Sequence, residues 1–448
     1  MAKGATHVLG LDIGTTAIKA VELQLSGGDV RVVGRPVVLP TPDGTVRGGV
    51  VVDAPQLADT LKELKSVYGI HTSKVIASVG GDSSVVVRIA EVPKMSGKEL
   101  EEAVVWELDE QTPFPVDEVI YDYVSIDRPD TDPEATEMEL LLAVAQEDMV
   151  DAHVEAMMGA GLRPVHIDVE PLAIGRALVD AAGDELADQT VVNVHIGATN
   201  TLILIFRQKL LAFVRVIPSA GQNLTQTIAE TLMLDEAQAE LLKVRLGSVA
   251  EGGYEGGREE RQPGEDMLAE GEDEFLSDSV FELSTTGEDS ATMEPPDEQA
   301  THLEIEEVPD LEPPAEGDQV GAAPAGQAEE PAPAVEQDPD LVEAKEQVAG
   351  ALVNSVLDIA TEVRRSLDFY RRQHRNEPID RIILTGGTAN LEGIEDLIAE
   401  ETGVATERGN PFRHLVADEE QASQRYLADI GPSAVVAVGL ALRDMVPD

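Results

Sequence analysis

The chain has 448 residues, 42% of them hydrophobic, no cysteine, and a formal net charge of −54 at pH 7. Its length allows more than one core. The missing thiols exclude a disulfide framework and thiolate chemistry, and the lack of a basic stripe excludes nucleic acid as a partner.

The N-terminus leads straight into a strand pattern, without the long apolar region of a signal peptide. Residues 8–13 and 17–25 are apolar, β-branched runs around the turn Gly14-Thr15-Thr16, and 30–39 extend them as a meander. Leu57, Leu61 and Leu64 give helical spacing over 55–66, and 75–79 and 85–92 are strand-like. Residues 94–162 read as a separate block. Ser96 and Glu99 form a capping box for a helix carrying Leu100, Val104 and Leu108, which stops at Gln111-Thr112-Pro113-Phe114-Pro115. Strands over 119–126 and 137–145 follow, then a helix over 147–160 that ends at Gly161.

Residues 163–169 return to strand and 171–181 to helix. Strands 191–195 and 201–206 flank a second glycine turn, His195-Ile196-Gly197-Ala198-Thr199. Helices over 223–233 and 236–246 precede a change of composition. Residues 251–340 hold 29 acidic against 2 basic residues and 10 of the 26 prolines, which is half of the total charge. Such a tract cannot bury enough apolar area to offset its ordering entropy, so 248–340 is expected to be a disordered acidic linker, read first as a solvated spacer. A long helix over 341–374 carries Val348, Leu352, Val356, Ile359, Val363, Leu367 and Tyr370 on one stripe. A strand then runs into Thr385-Gly386-Gly387-Thr388. The last element expected is an apolar helix after Pro432, with 434–442 well short of the roughly 20 residues of a membrane span and buried between subdomains.

Strand-then-glycine turns present backbone N–H groups to anions. Two of them, followed by a Gly-Gly turn, make the pattern of an actin-like nucleotide cleft. Asp12, Gly14, Thr15, Thr16 and Lys19 are expected on one side of the phosphates, with Asp12 holding Mg2+ through water. Gly197 and Thr199 are expected on the other side, and Gly386, Gly387 and Thr388 at the adenosine. Gly221 opens a helix whose N-terminus suits ribose or phosphate. Arg364 and Arg365 are expected to bracket the base. His195 stands where hydrolytic and kinase relatives of this fold carry an aspartate. Mg2+ prefers oxygen, so weak or absent turnover is expected. The eight histidines form no zinc pattern, and no nucleophile motif occurs.

Several longer phrases carry a resemblance. Val92-Pro93-Lys94-Met95, Glu99-Leu-Glu-Glu-Ala-Val-Val-Trp106 and Pro113-Phe114-Pro115 resemble the PilM family of type IV pilus assembly proteins. So do Glu362-Val-Arg-Arg-Ser366-Leu367-Asp368-Phe369-Tyr370 and Ile430-Gly-Pro-Ser-Ala-Val-Val-Ala-Val-Gly-Leu-Ala-Leu-Arg443. The resemblance implies an α/β, actin-like ATPase fold of the FtsA/PilM type with an inserted small α+β subdomain. On that basis 1–93, 163–190 and the helix 430–445 form one half, and 191–247 with 341–429 the other. The inserted subdomain is 94–162. The resemblance further implies a cytoplasmic protein binding ATP and Mg2+. Its implied partner is the N-terminal tail of a PilN-like inner-membrane protein, docked beside the inserted subdomain near Phe114 and Pro115. A PilN/PilO complex, pilus motor ATPases and peripheral membrane association through these partners follow. The rivals are an FtsA-like divisome filament protein and an actin-fold kinase; His195 speaks against the kinase.

Overall fold

In the computed structural model the described residues are 6–80, 84–132, 134–249, 339–374 and 377–446. The expected linker lies outside them from 250 to 338. Its first two residues belong to the fold: Val249 is buried, and its N–H donates to the Glu392 carbonyl at 2.7 Å.

The chain opens with an antiparallel meander, β1 (Thr6–Ile13), β2 (Ala17–Ser26) and β3 (Asp29–Pro40). A small hairpin, β4 (Val46–Arg47) with β5 (Val50–Val51), precedes α1 (Ala54–Val67). Helix α1 is capped by Asp53, whose carboxylate accepts the Gln56 N–H at 2.9 Å, and it buries Leu57, Leu61 and Leu64. Next come β6 (Lys74–Val79), β7 (Val85–Pro93), α2 (Lys98–Gln111), β8 (Val119–Ile126), β9 (Glu137–Gln146), α3 (Glu147–Gly159), β10 (Arg163–Val169) and α4 (Glu170–Gly175). The later part holds β11 (Thr190–Ile196), β12 (Thr201–Arg207), β13 (Leu210–Ile217), α5 (Gly221–Leu232), α6 (Glu236–Leu246), α7 (Pro339–Gln373), β14 (Arg381–Thr385), α8 (Ile394–Thr402), β15 (Thr406–Arg408) and α9 (Gln424–Leu442).

Two five-stranded sheets have one topology. The first runs β10-β6-β1-β2-β3, and the second, read from its opposite edge, runs β15-β14-β11-β12-β13. In each, the central strand pairs antiparallel with its successor and parallel with a strand reached by crossover. A duplicated mixed sheet of this order is the actin-like fold. A third sheet, β7-β9-β8, is covered by α2 through Val104 and Leu108 against Leu140, Leu142 and Val144.

Three expectations are corrected. The Ser96–Glu99 capping box does not form, because α2 starts at Lys98 after Gly97 with no side-chain cap. The helix expected over 171–181 is a short α4 followed by a wider π turn, Arg176–Asp180. The last helix does not wait for Pro432. It starts at Gln424, where Ser423 Oγ accepts the Tyr426 N–H at 3.2 Å, and Pro432 lies inside it. At 19 residues it is long and apolar enough, by length and composition, to cross a membrane, yet two thirds of that window is buried. Its packing explains the burial. A Cβ on Gly439 would stand 1.7 Å from the Ala173 carbonyl oxygen, so only glycine permits the approach of α9 to α4.

Candidate functional site

The two central strands, β1 and β11, end in turns of the same construction. Gly14 N–H closes the first on the Ala17 carbonyl at 3.0 Å, and Gly197 N–H closes the second on the Asn200 carbonyl at 2.9 Å. With the glycine amides used in closure, the turns offer the hydroxyls and amides of the residues that follow. A third loop leaves β14 at Gly386, which has φ 89° and whose Cβ would fall 2.1 Å from the Ile196 carbonyl oxygen. Glycine is required there on both counts. Gly386 N–H donates to the Pro432 carbonyl at 2.8 Å, so the loop rests on α9.

These loops, with the start of α5 and one face of α6, line a single cavity of about 400 Å³. The structure brings together Asp12, Gly14, Thr15, Thr16 and Lys19 from the first turn with Gly197 and Thr199 from the second. Gly221, Gly386, Gly387 and Thr388 complete the set in the same wall. Arg365 is the exception. It lies outside the lining on an exposed face of α7 and pairs with Glu362, while Arg364 pairs with Glu401. The buried stripe through Val363 and Leu367 fixes the rotation of α7 and turns both arginines away. The wall expected from them is made instead by Lys243, Val244 and Leu391. Val244 is 72% exposed, an apolar side chain left facing the cavity. In the sequence it belongs to the helix expected over 236–246 and carries no further signal. Glu170, at the first residue of α4, also lines the cavity and was not anticipated.

The polar groups are organised in pairs. Lys19 Nζ lies 3.1 Å from Asp12 Oδ2. Lys243 Nζ donates to the Gly221 carbonyl at 2.9 Å, Thr225 Oγ1 at 2.7 Å and Glu240 Oε2 at 2.6 Å. His195 is 9% exposed, and its Nδ1 lies 3.0 Å from Thr385 Oγ1. Burial, and then the Lys19 ammonium, push its pKa down to about 3, so the ring is neutral.

Facing turns with amide, hydroxyl and ammonium donors suit a polyphosphate. An apolar wall beside Lys243 and Glu240 suits a base and a sugar. For Mg2+ the residues fit poorly. The Asp12 carboxylate is engaged by Lys19, a nitrogen ligand stands at position 195, and the described residues contain no cluster of three metal-ligating side chains. Phe114 and Pro115 lie away from the cavity, on the loop between α2 and β8, half-buried and exposed respectively. A second hollow of similar volume, lined by Val154, Met158, Leu162 and Ile167 together with Arg163 and His166, shares no residue with this cavity.

Three quarters of the chain matches a known family. The model described as type IV pilus assembly protein PilM covers residues 10–252 and 349–445. The fold superposes on a chain of a PilM-PilN type IV pilus biogenesis complex with a TM-score of 0.70 and 25% identity, covering 99% of each chain. The cell division protein FtsA of Bacillus subtilis (strain 168) is 25% identical over 257 residues. That alignment takes in 53% of this chain and 57% of FtsA, so the chain spans little more than half the length of that relative.

Proposed function

The chain belongs to the family of type IV pilus assembly protein PilM, and on that premise we propose that it is a nucleotide-binding scaffold of pilus assembly, with ATP held between its two duplicated halves. The observation that carries this reading is the convergence of two equivalent glycine turns, Gly14-Thr15-Thr16 and Gly197-Ala198-Thr199, on one cavity. Donors on both sides of a polyphosphate would draw the halves together, as far as ATP prefers the closed state. Hydrolysis is weak or absent in this proposal, because a neutral His195 is neither an oxygen ligand nor a base able to hold a proton.

The partner is proposed from the relative solved as a PilM-PilN complex. A PilN-like inner-membrane protein would dock its N-terminal tail beside the β7-β9-β8 subdomain, with Phe114 and Pro115 among the contacts. That tail would hold the protein at the cytoplasmic face of the inner membrane, within reach of a PilN/PilO assembly and of pilus motor ATPases. Calorimetry of the full chain with ATP, ADP and a PilN-type N-terminal peptide tests both parts. The expected result is micromolar ATP binding and a peptide affinity that changes when ATP is present. Silence toward ATP would end the nucleotide reading, and silence toward the peptide in both states would end the partner reading.

A further inference from the structure

His195 ends β11 at the second turn, and Thr385 ends β14 beside it; the two are register partners in the parallel pair. Asn193 joins them in a buried polar chain. Its Nδ2 donates to the Ile383 carbonyl at 2.9 Å and to Thr385 Oγ1 at 3.0 Å. The Ile383 carbonyl can only accept, which fixes the nitrogen end of the Asn193 amide. Thr385 Oγ1 therefore has one lone pair taken and one proton to place. Two acceptors are in reach, His195 Nδ1 at 3.0 Å and Asn193 Oδ1 at 3.3 Å. The second is the longer contact and belongs to the amide that already donates to Thr385, so the shorter contact, to His195 Nδ1, is the better place for the proton. A neutral imidazole that accepts at Nδ1 carries its hydrogen on Nε2. Asn193 and Thr385 are buried, so water does not average this choice. The Nδ1 edge is engaged by Thr385, and His195 is one of the residues that line the cavity.

We propose that His195 is a phosphate-recognition residue whose Nε2–H, fixed by the positioning residues Thr385 and Asn193, donates to the polyphosphate of the nucleotide, and that this cleft binds ATP without a divalent cation. The assignment rests on the nucleotide reading above. The charges around the ring agree with it. Lys19 supplies an ammonium to the same cavity, and the carboxylate nearest to it, Asp12, is already its partner. Glu240 is held by Lys243 on the far wall. Glu170 also lines the cavity, and three carboxylates that each have interactions of their own are a weak seat for a cation that demands octahedral oxygen ligands.

Two measurements on the full chain test this. Long-range ¹H–¹⁵N NMR reads the tautomer of His195 directly, without nucleotide. The Nε2–H form is expected, and Thr385→Val is expected to lose the fixed tautomer. Calorimetry with ATP is then run in EDTA and in Mg2+. Wild-type affinity is expected to agree within about threefold between the two conditions. His195→Ala is expected to weaken ATP about tenfold or more in both, the loss of one hydrogen bond to a charged group. His195→Asn keeps an N–H donor and is expected to recover most of that loss. An Nδ1–H tautomer, or ATP binding that collapses in EDTA, would overturn this assignment and leave the nucleotide reading standing. No ATP binding in either buffer would overturn both.

Discussion

Arg128 and Leu211 tie the inserted subdomain to the second half of the molecule: the buried guanidinium Nη2 donates to the Leu211 carbonyl at 2.7 Å. Arg128 leaves β8, and Leu211 belongs to β13. The Nε of the same side chain bonds Glu139 on β9 at 2.7 Å. Arg207 on β12 reaches back to Asp130 at 3.1 Å. In sequence the subdomain interrupts the first half, whereas its buried polar anchor is on the second. Arg128→Met should therefore destabilise the chain by about 2 kcal/mol or more, since it strands the Leu211 carbonyl and Glu139. The Asp130 end is half exposed, and Asp130→Asn should cost only about 0–1 kcal/mol. Chemical denaturation of both variants compares them directly, and equal losses would contradict the anchor.

The close approach of α9 to its neighbours gives a second expectation. Gly439→Ala places a methyl group against the Ala173 carbonyl, which is backbone and cannot rotate away. Overpacking of this kind costs about 1–3 kcal/mol, and a backbone clash belongs at the upper end. Gly350→Ala is the control. Gly350 sits in α7 with open space around its Cβ, and alanine there should be neutral or stabilise the helix by about 0.5–1 kcal/mol. Melting curves of the two variants should move in opposite directions.

His195 predicts the acid response. Burial, and then the Lys19 ammonium, hold its folded pKa down at about 3, well below the ordinary imidazole value of 6.5. Below 6.5 the unfolded chain takes up a proton that the folded ring refuses, so stability falls as pH drops from about 6.5 towards 3 and is unaffected above that range. Going from pH 7 to pH 5, this one group should remove about 2 kcal/mol. His153, lowered chiefly by burial, adds to the loss with the same sign. His195→Gln should flatten the denaturation midpoint between these pH values. A variant as acid-sensitive as the wild type would show that the ring is not held neutral by the fold.

Much of this architecture was readable in advance because it is written in local chemistry. The turns at Gly14 and Gly197 and the loop at Gly386 each follow a β-branched run, so both the strands and the breaks could be found. What could not be read is rotation and reach. The apolar stripe of α7 gave the helix and its buried face, but Arg364 and Arg365 flank that stripe, and the sequence alone does not say which edge of it meets the cleft. The early start of α9 is hidden in the sequence for a similar reason. Pro432 is a helix breaker by local rules, and here the surrounding core, with Gly386 bound to the Pro432 carbonyl, overrides the rule. Lys243 gives no signal in the sequence because its role depends on the Gly221 carbonyl, 22 residues away.

The exchange of Arg365 for Lys243 in the cleft wall is itself open to measurement. Lys243 bridges the first turn of α5 to Glu240 on α6, which holds the start of α5 beside Thr388. Lys243→Met keeps most of the aliphatic stem and removes the charge. It frees the Gly221 carbonyl and leaves Glu240 as an uncompensated anion facing the proposed nucleotide. ATP affinity should fall about tenfold, with charge repulsion and lost preorganisation acting together. Arg365→Met removes only a solvent-facing pair with Glu362 and should leave ATP affinity unchanged, with stability within about 0.5 kcal/mol. Calorimetric titration of ATP into the two variants separates them. A larger loss at Arg365 than at Lys243 would return the base to the face of α7 and refute the wall described here.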